Sequence, residues 1–128
     1  MKIVVSSTGN NLDAQVDPRF GRCMTFMIVD TETMEAQPVT NSSVSSAHGA
    51  GIGAAQNVAS LGVKAVITGN VGPNAHMALS GAGVEIYTMP QGTVREAVER
   101  LKRGELTKVR SPTVGGHFGQ GRSRRSRV

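Results

Sequence analysis

The sequence predicts an α/β domain built on one mixed sheet, and three observations carry that prediction. Short β-branched runs and segments of helical period follow one another in the order β-β-β-α-β-α-β-α. The last two strands each follow a crossover helix, so they should run parallel to one another. The first three strands are joined without helices, and the turn Asp30-Thr31-Glu32-Thr33 suits a short antiparallel hairpin. At 128 residues the chain has the size of one domain. Its 16 glycines and four aromatic residues leave Val, Ile, Leu, Ala and Met to fill the core.

KIVVSS (2–7) reads as a buried first strand, and TGNNLDAQVDPRFGRC follows as a polar loop. MTFMIVD (24–30) is the second strand and MEAQPVT (34–40) the third. Pro38 lacks a ladder donor, which places the third strand at a sheet edge. NSSVSSAHGAG is a second loop. From Gly49 the period changes: Ile52, Ala55, Val58 (or Ala59) and Leu61 recur at helical spacing, and Gly62 is placed to end the helix. KAVITG (64–69) is a buried strand, and NVGPN leads into a helix over 75–82 that Gly83 closes. VEIYTM (84–89) is the last strand of the pattern. Thr93 with Glu96 three residues on forms a capping-box pattern ahead of TVREAVERLKRG, an amphipathic helix with Val94, Ala97, Val98 and Leu101 inward.

The net charge of +5 is unevenly placed. Residues 1–107 carry eight Lys/Arg against nine Asp/Glu, a net of −1, whereas residues 108–128 carry six Lys/Arg and no acid. The expected organisation is a folded body over 1–107 and a basic, disordered tail over 108–128 with too few apolar residues to pack. The tail's RSRRSR run suits phosphate contacts, so nucleic-acid binding is one alternative function, but no aromatic platform in the body favours it. A scaffold that offers its edge strand to a protein partner is another. The single cysteine excludes an intrachain disulfide and fits a reducing cytoplasm. The apolar run at the N-terminus is too short for a signal sequence or a membrane span.

Ligands of α/β sheets collect beyond the carboxyl ends of strands, against helix N-termini. Three segments fall there: the loop 9–23, AHGAGIGAA at 47–55 and GNVGPNA at 69–75. Two of them open helices, whose free N–H groups and dipole favour anions. Gly49-x-Gly51-x-x-Ala54 matches a dinucleotide fingerprint in form, but it follows a Ser-rich loop and no acid lies about 20 positions on. DPRFGRC (17–23) is the densest stretch of chemistry. Arg19 and Arg22 flank Cys23 closely enough to lower a thiol's pKa and make its thiolate a metal ligand; the alternative is a small buried apolar residue. His48 stands at a helix entrance, where it could ligate metal, cap the helix or face water. Met24, Met27, Met77 and Met89 read as core filling. No CxxC, HExxH, nucleophile elbow or paired acids for magnesium occur, so no part of the chain reads as catalytic.

VDPRFGRCMTFMIVD, followed by AHGAGIGAAQNVASLGVKAVITGNVGPNAHMALSGAGVEIY, resembles the dinitrogenase iron–molybdenum cofactor-binding family. That family includes the nitrogenase accessory proteins NifX and NifY, the C-terminal part of NifB, and small stand-alone relatives in archaea and anaerobic bacteria. The likeness covers roughly residues 1–107 and rests on the FGR loop, the HGAG turn and the GxxGPNA turn. It implies a ribonuclease H-like motif, a mixed five-stranded sheet of order 3-2-1-4-5 with three helices. It also implies a non-enzymatic carrier of an anionic Fe–S, Fe–Mo or Mo–Cu sulfide cluster, with cluster-assembly or iron–sulfur proteins as partners; one relative holds a molybdenum–copper sulfide cluster. Nitrogenase-associated members have a histidine before the Phe-Gly pair as a proposed cluster ligand, and here that position is Arg19, which matches the stand-alone branch. The resulting candidate cofactor-binding set is Arg19, Phe20, Gly21, Arg22, His48, Gly49, Gly51, Asn70, Gly72 and Asn74, with Cys23 and His48 as metal ligands and Phe20 as an aromatic lid. The competing reading of the same loop pairs its arginines with Asp13 or Asp17 and uses Phe20 to plug the sheet end.

Overall fold

The computed structural model describes residues 1–42, 50–89 and 91–113, with the side chain of Ala50 excepted. Its elements are β1 (Lys2–Ser7), β2 (Thr25–Asp30), β3 (Ala36–Thr40), α1 (Ala50–Ser60), β4 (Ala65–Thr68), α2 (Pro73–Gly81), β5 (Glu85–Thr88), α3 (Val94–Lys102) and β6 (Thr107–Lys108). The sheet order is β3-β2-β1-β4-β5-β6, the expected 3-2-1-4-5 with one short strand added. β1 pairs antiparallel with β2 and parallel with β4, and β4 pairs parallel with β5. Pro38 lies in the middle of β3 at one sheet edge, where a missing N–H is tolerated.

Strand pleating sends alternate side chains to opposite faces, and each face has its own core. Val4 and Val66 join Phe26 and Ile86 under Ala54, Ala55 and Val58 of α1 and Ala75 and Leu79 of α2. Ile3, Val5, Ala65 and Ile67 lie under Val94, Ala97 and Val98 of α3. The domain is therefore three-layered, with α1 and α2 sharing one face. Gly62 and Gly83 follow α1 and α2 at φ of +72° and +78°, the left-handed conformation that ends a helix at little cost when no Cβ is present.

Some expectations change. The buried stripe of α1 is Ala54, Ala55 and Val58, whereas Ile52 and Leu61 are exposed. Met27 and Met89 fill the core as expected, but Met24 and Met77 stand 61% and 71% exposed. The packed body also passes the expected boundary at 107/108. Thr107 and Lys108 pair with Thr88 and Tyr87, and the Val109 N–H donates to the Ile86 carbonyl at 2.7 Å. Lys108 reaches Glu85 at 3.3 Å. The segment stays attached as far as Thr113, because a short β-pairing at the sheet edge satisfies backbone groups without needing apolar side chains. The remainder of the tail, from 114, lies outside the described residues.

The capping box forms as read: Thr93 Oγ1 accepts from the Glu96 N–H at 3.1 Å, and Glu96 Oε1 accepts from the Thr93 N–H at 2.8 Å. Thr93→Ala is expected to cost about 1 kcal/mol, read as a lower urea midpoint at unchanged m-value. The Thr93 backbone N–H and then its side chain hold the Glu96 carboxyl below its ordinary value of 4.5. The contribution of Glu96 is thus complete above pH 4.5 and is lost as pH falls through the lowered value. Glu96→Gln should remove that part of the acid-side slope of stability.

Candidate functional site

β1 and β4 are parallel neighbours, and the loops that leave their carboxyl ends meet at that end of the sheet. A buried polar junction joins those loops. The Ser6 hydroxyl lies 2.6 Å from the Asp17 carbonyl oxygen and 2.8 Å from the Thr68 hydroxyl, and the Asp17 N–H donates to the Ser6 carbonyl at 2.8 Å. One residue on, the Asn70 N–H donates to the Pro18 carbonyl at 2.8 Å. Gly69 sits against Pro18 so closely that a Cβ there would stand 2.5 Å from the Pro18 Cα. On the other side, Asn41 (1% exposed) donates from Nδ2 to the carbonyls of Gly21 at 3.2 Å and Cys23 at 2.8 Å. The 17–23 loop is therefore held from both flanks.

A pocket of about 480 Å³ opens where these segments meet. It is lined by residues 18–22, by Gly51 and Ile52 in the first turn of α1, and by Asn70 and residues 72–75 at the start of α2. Arg19, Phe20, Gly21, Arg22, Gly51, Asn70, Gly72 and Asn74 of the candidate set thus come together in one cavity. His48 and Gly49 lie outside the described residues. The two helices pack side by side, with Gly51 approaching Ala75. Both helices start at this end of the sheet, so the positive ends of both dipoles face the cavity. Gly72 is the N-cap of α2 and offers no side-chain acceptor, and Pro73 at N1 has no N–H. The N–H groups of Asn74 and Ala75 therefore lack a side-chain cap within a pocket that both residues line.

The side chains of DPRFGRC divide their roles. The Asp17 carboxylate, almost fully buried, accepts from the Arg19 N–H at 2.9 Å, from Arg19 Nε at 3.2 Å and from Nη2 at 3.3 Å. Hydrogen bonding to Asp17 and the charge of that group raise the Arg19 pKa. The Arg19 side chain is 66% exposed, so the pair is screened by water, yet it neutralises a carboxylate that would otherwise repel an anion. This is the ion pair of the competing reading. Arg22 is exposed on the pocket wall. Phe20 is 2% exposed, with its ring 5.3 Å from that of Phe26 at a 45° tilt. It is the floor of the pocket and a plug of the sheet end, and the expected aromatic lid is corrected accordingly.

Cys23 also departs from expectation. Its side chain is wholly buried in the core under α1 and α2, and Sγ lies 3.4 Å from the Phe20 carbonyl oxygen. Burial first, then the Asp17 charge, pushes the thiol from 9.0 up to about 12. The sequence-based expectation of a lowered pKa is overturned because this side chain, in the loop just ahead of β2, is buried in the core while Arg22 is exposed. Among the described residues no group of three or more His, Cys, Asp or Glu is placed to hold a metal ion. The contributions of Ser6, Thr68, Gly69 and Asn41 were missed from sequence. For Ser6 and Thr68 the signal was faint: polar residues that end the apolar runs KIVV and KAVI, at the strand ends.

A family profile described as dinitrogenase iron-molybdenum cofactor matches residues 1–104. The apo form of the orange protein from Desulfovibrio gigas is 44% identical and superposes with a TM-score of 0.84 over 88% of this chain and 95% of that one. A Thermotoga protein described as a NifB protein of the DUF35 family is 37% identical, with a TM-score of 0.73 over 84% and 91% of the two chains. An uncharacterized protein of Methanocaldococcus jannaschii is 32% identical over 111 residues, 84% of this chain and 91% of that protein.

Two outcomes are expected from the geometry. Gly69→Ala should lower stability by roughly 1–3 kcal/mol and shift backbone resonances of residues 17–23 and 69–75, because the added methyl meets main chain that has nowhere to go. Iodoacetamide at pH 8 should label Cys23 only as fast as the protein unfolds, with full-rate labelling in denaturant.

Proposed function

The chain belongs to the dinitrogenase iron–molybdenum cofactor family, and from that premise we propose that it is a non-catalytic binding or carrier protein for an anionic metal–sulfur cluster, working in the cytoplasm. The observation that carries the reading is the convergence of the 17–23 loop, the loop after β4 and the N-termini of α1 and α2 on one pocket walled by Arg19 and Arg22. A metal–sulfide cluster presents sulfur atoms that bear negative charge. Backbone N–H groups at a helix start, together with a guanidinium group, donate to such atoms without displacing them from the metal. The donor set supports that mode of holding. The pocket lining offers N–H donors and one exposed, Asp17-paired arginine beside Arg22, whereas the soft thiol of Cys23 lies in the core. Iron, molybdenum or copper would bring its own sulfide ligands, and the protein would supply charge complementarity, hydrogen bonds and partial exclusion of water. Loading and release would then require no change in metal coordination, which suits a carrier that exchanges cargo with cluster-assembly or iron–sulfur proteins.

Anaerobic reconstitution with sulfide and iron, molybdenum or copper, followed by desalting, absorbance and metal analysis, tests the proposal. The wild type should retain a sulfide-to-metal charge-transfer chromophore. Cys23→Ala should retain it as well, since its sulfur is not in the pocket. Arg22→Gln should weaken retention about tenfold, the effect of removing one charge-assisted contact. A wild-type protein that emerges colourless and metal-free from all three mixtures would sink the reading.

A further inference from the structure

Val71 is 1% exposed and stands between Asn70 and Gly72, both of which line the pocket. It precedes the N-cap of α2, so neither of its backbone groups belongs to a helix or to a strand ladder. Both are met by Thr113, 42 residues further along the chain. Thr113 Oγ1 accepts from the Val71 N–H at 2.7 Å and donates to the Val71 carbonyl at 3.2 Å, and the Thr113 N–H donates to that carbonyl at 2.9 Å. A buried backbone group without a partner is costly, so the turn 70–72 keeps this shape only while Thr113 is in place.

The segment that carries Thr113 is lightly held. β6 is two residues long, and the Val109 N–H adds one bond to the Ile86 carbonyl at 2.7 Å. Val109 is half-buried against the core, whereas Arg110, Ser111, Pro112 and Thr113 are exposed. A piece of chain with few bonds and little buried apolar surface opens locally far more easily than the sheet beneath it. We propose that Thr113 is a positioning residue of the pocket: the docked strap 107–113 holds the wall at Asn70 and Gly72 in its binding shape, and a bound anion in turn holds the strap down. The proposal rests on the reading of the pocket as an anion site. A ligand that needs the docked form loses affinity in proportion to the fraction of molecules whose strap is open, and thermodynamic linkage makes the effect reciprocal. The hydroxyl is the specific requirement. Any residue but proline brings a backbone N–H to position 113, whereas the Val71 N–H needs a side-chain oxygen there.

The test titrates tetrathiomolybdate into the full chain and into its Thr113→Val and Thr113→Ser variants, and follows amide hydrogen exchange with and without the anion. Thr113→Val keeps the size and the backbone N–H but loses the acceptor, and it should bind about tenfold more weakly, the effect of one lost hydrogen bond. Thr113→Ser keeps the hydroxyl and should bind as the wild type does. In the wild type the anion should slow exchange at Val71, and at Val109 outside the pocket lining, by a larger factor than at Glu96 in the α3 cap. Equal binding by the wild type and Thr113→Val, or a Ser variant as weak as the Val one, overturns the positioning role and leaves the pocket reading intact. If Thr113→Val does not fold, exchange in the wild type decides alone: protection at Val109 that the anion leaves unchanged overturns the coupling. A wild type that does not bind the anion overturns the proposal together with the pocket reading.

Discussion

The pocket depends on the carbonyl oxygen of Asp17. That oxygen is buried between the Ser6 and Thr68 hydroxyls, at the point where two parallel strands release their loops. A buried carbonyl without a partner costs about 1–3 kcal/mol, so the hydroxyls at the two strand ends hold the 17–23 loop against β4 as firmly as they hold each other. Everything above the sheet is built from that junction. Pro18 packs on Gly69, Asn70 bonds to Pro18, and the α2 N-terminus follows two residues later. The parallel pairing of β1 with β4 supplies the geometry, because strands that end side by side must deliver their following loops to one place.

The electrostatics of the site are set by compensation. A buried carboxylate beside an anion pocket would be self-defeating, and the Arg19 guanidinium that hooks back onto Asp17 removes the conflict. Through the same contacts Asp17 fixes the turn, since it also accepts the Arg19 backbone N–H. What faces a ligand is then chiefly a set of N–H dipoles, supported by guanidinium charge on an exposed rim. Under the proposed function such a site would discriminate by charge and shape more than by metal identity. Dipoles fixed in the fold need no reorganisation when an anion arrives, and water at the rim keeps the attraction moderate.

The sheet edges are handled separately from the pocket. Pro38 interrupts the donors of β3, and β6 closes the opposite edge with two residues and the Lys108–Glu85 pair. Among the described residues no helix is long and apolar enough to cross a membrane. The same strap that forms β6 continues to Thr113, which bonds to Val71 between two residues that line the pocket.

How much of this was legible beforehand follows from the range of the forces involved. Local and periodic signals were readable: the alternation of strands and helices, the crossover connections that force parallel pairing, the Thr93–Glu96 cap, and the glycines at helix ends. The family resemblance implied the strand order, and with it the nearness of the loops that follow β1 and β4. The direction of each side chain could not. Cys23 and Arg22 are adjacent in sequence, yet one turns into the core and the other to the surface. Phe20 chooses floor over lid because Phe26 waits beneath it. The hold of Asn41 on the loop spans 18 to 20 residues, and that of Thr113 on Val71 spans 42. The sequence by itself determined the element order and the parallel pair, which follow from periodicity and connection, and its family resemblance implied the sheet order and the neighbourhood of the site. Only the tertiary structure decided which groups face the cavity, because burial and long-range hydrogen bonds exist only once distant segments have packed.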